Sequence, residues 1–129
     1  MVSGARYVYL VLVWSYLAAI LVQVFLAGIG LFTTDHDFET HQKLGYLLHL
    51  APVLILIVAF VARPGSATLW WTAALVVVQG IQPLLPMLRA DYPLAAALHP
   101  VLALVIFWLG LTIGLRAWQL VRQPIAEST

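Results

Sequence analysis

The chain has 129 residues, of which 64% are hydrophobic and 9% charged, with a mean hydropathy of +1.02 and a net charge of +1. Soluble domains carry about 25% charged residues, so this composition cannot coat a water-facing surface; it describes a small multi-pass membrane protein and excludes a soluble enzyme. Six basic residues scattered along an apolar chain make no phosphate-tracking surface, which excludes nucleic acid as a partner, and the absence of cysteine removes disulfides, thiolate metal sites, iron–sulfur clusters, covalent haem and a thiol nucleophile together.

Four apolar stretches follow one another, over about 7–32, 40–62, 68–88 and 94–121. Each is near or above the ~20 residues that cross ~30 Å of hydrocarbon. Between them lie Thr33-Thr34-Asp35-His36-Asp37, Arg63-Pro64-Gly65-Ser66 and Arg89-Ala90-Asp91-Tyr92-Pro93, the usual punctuation of turns. The first apolar run, about 25 residues, is too long for a signal-peptide core of 7–15 and reads as a retained helix. Loops this short join antiparallel neighbours. The expected fold is therefore all-α, an integral membrane up-down-up-down four-helix bundle forming a single transmembrane domain over 1–129.

Charge placement sets the expected orientation. Arg6, Arg63, Arg116 and Arg122 stand with Glu127 on one side, while Lys43 and Arg89 face Asp35, Asp37, Glu39 and Asp91 on the other. The basic excess marks the cytoplasmic face. Both termini are expected in the cytoplasm, with the chain in the plasma membrane. Gly110-x-x-x-Gly114 and Ala27-Gly28-Ile29-Gly30 permit close helix approach, within the chain, in a homodimer or in a larger complex.

Polar residues inside the spans carry most of the functional information, because they are expensive in hydrocarbon and turn inward. Gln23, His49 and Gln79 each fall ~13 Å below the outer surface at 1.5 Å per residue, and are expected to share one layer. Gln82 sits one turn nearer the outside. His36 reads as a solvated loop residue. His41 and His99 start the second and fourth spans from the same side, on diagonally opposed helices, where two imidazoles reach one central metal. A weak internal repeat accompanies the pair: Val22-Gln23 precedes His41 by 18 residues from the glutamine, and Val78-Gln79 precedes His99 by 20.

His49 is open to several roles. It could ligate a second, deeper cofactor, replace His41 as the partner of His99, or hydrogen-bond to Gln23 or Gln79. Pro52 removes the backbone bond to the Leu48 carbonyl beside it. Pro100 implies a kink or a helical restart at His99, and Pro83 and Pro86 disturb the outer end of the third span. Lys43, Arg89, Tyr46 and Tyr92 could receive haem propionates or serve as interfacial anchors. Trp70, Trp71 and Trp118 read as belt residues, whereas Trp14 and Trp108 lie deeper, against a cofactor or against neighbours.

The stretches Val22-Gln23-Val24-Phe25-Leu26-Ala27-Gly28, His41-x-x-x-Gly45-Tyr46-Leu47-Leu48-His49, and Leu98-His99-Pro100 through Phe107-Trp108 resemble a family of small uncharacterised four-helix bacterial membrane proteins over most of the chain. More distantly, the same elements are similar to one four-helix half of haem A synthase. There the second and fourth helices each give one haem a histidine near the outer side, which implies His41 and His99 here. The chain departs from that enzyme in lacking its outer-loop cysteine pair and its loop glutamate with adjacent histidine, and in having one half-bundle. The resemblance therefore extends to haem binding and not to haem A synthesis.

The leading expectation is a membrane cytochrome that binds haem b between helices two and four and passes single electrons, without independent catalytic activity. Its candidate cofactor residues are His41, His99, His49, Lys43 and Arg89, with His41 and His99 as the metal ligands. The alternative is a cofactor-free accessory subunit of a larger respiratory or photosynthetic complex, its glutamines and His49 serving as interhelical glue. A quinone- or lipid-binding protein is a third reading. A hydrolase finds no support, because Ser15 and the threonines have no nearby histidine–carboxylate arrangement, and transport lacks any acidic residue within a span.

Overall fold

The computed structural model describes residues 2–35 and 37–123. The expectation for His36 and the charge of Glu127 thus lie outside the described residues. The described chain is all-helical: α1 spans Val2–Phe32, α2 Glu39–Leu48, α3 Leu50–Ala62, α4 Ser66–Ile81, α5 Leu84–Met87, α6 Pro93–Ala96 and α7 Leu98–Arg122. These seven helices build four spans long and apolar enough to cross a membrane: Ser3–Phe32, Glu39–Ala62, Ser66–Met87 and Pro93–Arg122. The expected four-helix architecture holds.

Prolines account for the segmentation. Pro52 has no N–H, and the second span breaks three residues earlier at His49, whose own N–H reaches the Tyr46 carbonyl at 3.3 Å. Pro83 and Pro86 end α4 and leave the single turn of α5. Pro100 falls within the first turn of α7, where a missing N–H costs nothing, so the restart reading holds, with the break at Ala97. At the opposite end Arg63 adopts φ 54° and Gly65 φ 87°, the left-handed turn that stops α3 and reverses the chain. Helix α1 begins at Val2 instead of near Tyr7, because Arg6 finds partners there. Its Nη1 donates to the carbonyls of Leu120 and Gln123, both at 3.2 Å, and so caps the end of α7.

Around the bundle the order is α1, α3, α4, α7 and back to α1. The second and fourth spans therefore lie across one diagonal, and the first and third across the other. Gly110 and Gly114 face α1: a Cβ on Gly110 would sit 3.0 Å from Leu17 Cδ2, and one on Gly114 3.4 Å from Val13 Cγ1. This small-residue pair is used inside the chain, and is not free for a second copy.

The apolar core is confined to one half of the bundle, nearer the chain ends. Tyr9, Val13, Tyr16, Leu17 and Ile20 of α1 meet Ile55 and Ala59 of α3, Leu75 of α4, and Ile106, Leu109, Ile113 and Ala117 of α7. Packing stops abruptly above this level. Among the described residues in 23–47 and 80–105, Gln82 and the side-chain-less Gly30 are the two that are buried. The half that carries the Phe32–Glu39 and Leu88–Pro93 loops is thus helical but not filled.

Candidate functional site: a histidine pair across the bundle diagonal

The unfilled half holds His41, in the first turn of α2, and His99, in the first turn of α7. Their rings face across the diagonal, with centroids 6.3 Å apart and planes at 76°. Each ring is held the same way. His41 Nδ1 lies 3.0 Å from the Gln23 carbonyl, and Gln23 Nε2 donates to the His41 carbonyl at 2.6 Å. His99 Nδ1 lies 3.0 Å from the Gln82 carbonyl, and Gln82 Nε2 donates to the His99 carbonyl at 3.0 Å. A glutamine on one helix and a histidine on the next thus exchange side chain for backbone, twice over.

This clamp has a chemical consequence. A carbonyl oxygen can only accept, so Nδ1 of each histidine carries the proton and Nε2 is left with its lone pair. A backbone carbonyl on Nδ1 is also the usual support of a metal-ligating imidazole, fixing its tautomer and orientation. Proline chemistry explains one of the acceptors. Pro86 stands four residues after Gln82 and cannot donate to it, which leaves that carbonyl free for His99. The Gln23 carbonyl accepts His41 in the middle of an unbroken helix, by a second lone pair.

The two halves match over a different register from that expected from the repeated Val-Gln. Gln82, not Gln79, is the counterpart of Gln23, and the spacings to the histidines are 18 and 17 residues. Gln79 has another task. It accepts a bond of 2.6 Å from the Tyr16 hydroxyl across the other diagonal, and one step further along Tyr9 and Thr72 share a bond of 2.8 Å. Thr72 donates to the Thr68 carbonyl at 2.9 Å, so Tyr9 is the donor to Thr72. Tyr9, Tyr16 and Gln23 recur every seven residues, two turns or ~10 Å apart, and form one inward stripe on α1. The expected common layer of Gln23, His49 and Gln79 does not form: Gln79 pairs two turns below Gln23, and His49 bonds to neither.

His49 sits at the break between α2 and α3. Its Nδ1 lies 2.7 Å from the Gly45 carbonyl, an acceptor released because the His49 backbone N–H has moved to Tyr46. Gly45 is also the floor under Gln23, since a Cβ there would meet Gln23 Nε2 at 2.8 Å. Phe38 performs a related service, its ring lying over Gly30 and edge-on to His41 at 6.3 Å between centroids. Three buried acceptors among the described residues have no partner: Gln23 Oε1, Gln82 Oε1 and His49 Nε2.

The remaining candidates stay at the periphery. Lys43 is exposed and pairs with Glu39 one turn away, and Arg89, Tyr46 and Tyr92 are exposed. Trp108 packs edge-on against Trp71 at 5.6 Å, and Trp14 lines a surface hollow with Leu115 and Trp118; neither meets the histidines. Among the described residues no three His, Cys, Asp or Glu side chains gather as a metal site, and the facing pair offers two nitrogens.

Residues 23–88 match the family model described as a family of unknown function, DUF6220, and the chain belongs to that family. The match takes in Gln23, His41, His49 and Gln82 and ends before His99. None of the curated proteins matches the chain, and neither does any solved structure.

Proposed function

We propose that this protein is a b-type membrane cytochrome that holds one haem between His41 and His99 and passes single electrons. The carrying observation is the facing pair itself, with both Nδ1 atoms committed to backbone carbonyls and both Nε2 lone pairs left over. Two imidazoles bonded at ~2.0 Å to opposite sides of one metal ion have their ring centres ~6 Å apart, against 6.3 Å between His41 and His99. A bare ion would need further protein ligands, and the described residues gather none. A porphyrin would bring its own four nitrogens, and His41 and His99 would hold its metal. The half of the bundle around the pair has few buried side chains, and the lack of cysteine requires non-covalent binding.

Bound iron would exchange one electron between its ferric and ferrous states, at a potential set by burial and by the bonds to its ligands. The chain's own part is to fix two imidazoles before any cofactor arrives. Gln23 and Gln82 do this by bonding each histidine at both its ring and its backbone. On this reading the exposed Lys43, which here pairs with Glu39, and Arg89 would receive the propionates, and the protein resides in the plasma membrane with its termini in the cytoplasm.

The test is a reduced-minus-oxidised spectrum of protein purified with ample haem supply. A low-spin six-coordinate b-type spectrum is expected, lost or converted to five-coordinate by His41→Ala and by His99→Ala. Protein that stays colourless, or a spectrum that survives loss of His99, overturns the reading in favour of a cofactor-free accessory subunit.

A further inference from the structure

The second unexplained feature of the interior is His49. Its Nδ1 is held by the Gly45 carbonyl at 2.7 Å, so Nδ1 bears the proton and Nε2 is an acceptor. That Nε2 is buried and without a partner. An unmet buried acceptor is costly, and the fold does not require it: eight residues after His41 stands His49, but eight after His99 stands Phe107. Gln23 Oε1, a second unmet buried acceptor, belongs to the same neighbourhood, because Gln23 Nε2 lies over Gly45. Tyr46 supplies an aromatic wall, its ring 6.5 Å from that of His49 at a tilt of 40°. Tyr46, Leu47 and Leu50 around it are exposed on the apolar surface.

We propose that His49 is the anchor of a binding site for a hydroquinone dissolved in the bilayer. The place needs a ligand that offers hydroxyl hydrogens, since the two unmet buried atoms there, His49 Nε2 and Gln23 Oε1, both accept. It also needs one that enters the hydrocarbon. His49 lies six residues, ~9 Å of helix, beyond the exposed Lys43–Glu39 ion pair, inside the hydrocarbon and below the headgroups. Lipid headgroup hydroxyls stay at the interface, whereas an alkyl hydroquinone partitions to that depth. Binding forms an O–H···Nε2 hydrogen bond and breaks no covalent bond. The oxidised quinone carries carbonyls alone and has nothing to give Nε2. The site is therefore selective for the reduced ligand, and it stands independently of what His41 and His99 hold.

The test uses the full chain in lipid nanodiscs, titrated calorimetrically with decyl-hydroquinone, its dimethyl ether and the corresponding quinone. Saturable binding of the hydroquinone is expected, about tenfold or more tighter than either analogue, the worth of one well-placed bond. Adding the hydroquinone should also shift the 15N resonance of His49 Nε2. His49→Asn, whose amide N–H can keep the bond to Gly45 but which places no acceptor where Nε2 stands, should abolish the preference, and so should His49→Phe, the residue type of the other half. Equal binding of all three compounds means simple partitioning and overturns the proposal. So does a preference that survives both variants, or an Nε2 resonance that does not move, which would leave a buried water as the occupant. None of these outcomes bears on the haem spectrum, so the two readings fail separately.

Discussion

Gln79 and Gln82 are one turn apart on the same span, yet they live in different solvents. Gln79 lies in the packed half, 4% exposed, and receives the hydroxyl of Tyr16. Gln82 begins the unfilled half, is similarly buried, and keeps a carbonyl oxygen with no partner. Between its helices the packed half pairs its polar side chains within the chain, tyrosine to glutamine and tyrosine to threonine, and leaves one buried donor, Arg6 Nε, unmet at its end; apolar side chains fill the rest. The histidine half uses the same kinds of residue to grip backbone, and leaves lone pairs over. Polar residues in hydrocarbon thus do two distinct jobs here. Below the break they tie helices together, and above it they hold two rings still.

That contrast can be broken by mutation. The largest effects on stability belong to the packed half. Ile55→Ala and Ile113→Ala remove side chains that are 1% and 0% exposed, and each should cost about 2–5 kcal/mol in denaturant unfolding of the detergent-solubilised protein. Truncating exposed Leu98 or Val101 should shift the same curve by less than about 0.5 kcal/mol. Equal losses in both halves would erase the distinction. Gly110→Val comes next. Even its Cβ meets Leu17 Cδ2 at 3.0 Å, and prising α1 from α7 should cost about 1–3 kcal/mol.

Smaller effects sharpen the comparison. Tyr16→Phe leaves the buried Gln79 oxygen without a donor and should cost ~0.6–1.7 kcal/mol, the range of interhelical bonds in membranes. Gln82→Leu removes a bond but also an unmet acceptor, so it should cost less than Tyr16→Phe. Its effect should instead fall on the spectrum or potential of a metal bound at His99. A Gln82→Leu variant as destabilised as Tyr16→Phe would show that the clamp is ordinary glue. Smallest of all, Lys43→Ala breaks an exposed one-turn ion pair with Glu39 and should change stability by less than about 0.5 kcal/mol.

The architecture was legible because apolar length and loop punctuation are coarse signals that side-chain detail does not disturb. The diagonal placement of His41 and His99 followed from chain direction alone. Their register did not, because counting residues from a span boundary assumes a straight helix. The third span is broken at Pro83 and Pro86, which puts Gln82, not Gln79, opposite the fourth. The sequence held a clue in Pro86, four residues beyond Gln82, which announces a carbonyl in need of a donor. Tyr9 and Tyr16 went unnoticed because tyrosine passes for an apolar or interfacial residue; their spacing of seven from Gln23 was the available signal. The role of Gly45 was beyond reach, since it rests on where the Gln23 amide comes to lie.

The glutamine–histidine clamps also bear on how the protein is made. Each joins two neighbouring spans of one hairpin, Gln23 to His41 and Gln82 to His99. The bonds from Tyr9 to Thr72 and from Tyr16 to Gln79 run between the hairpins. A hairpin leaving the ribosome can therefore orient its own histidine before the other exists, and the facing pair arises only when the two dock. The turn at Arg63–Gly65 is the natural seam. Two separately translated pieces, divided there, should find each other in the bilayer and rebuild the bundle.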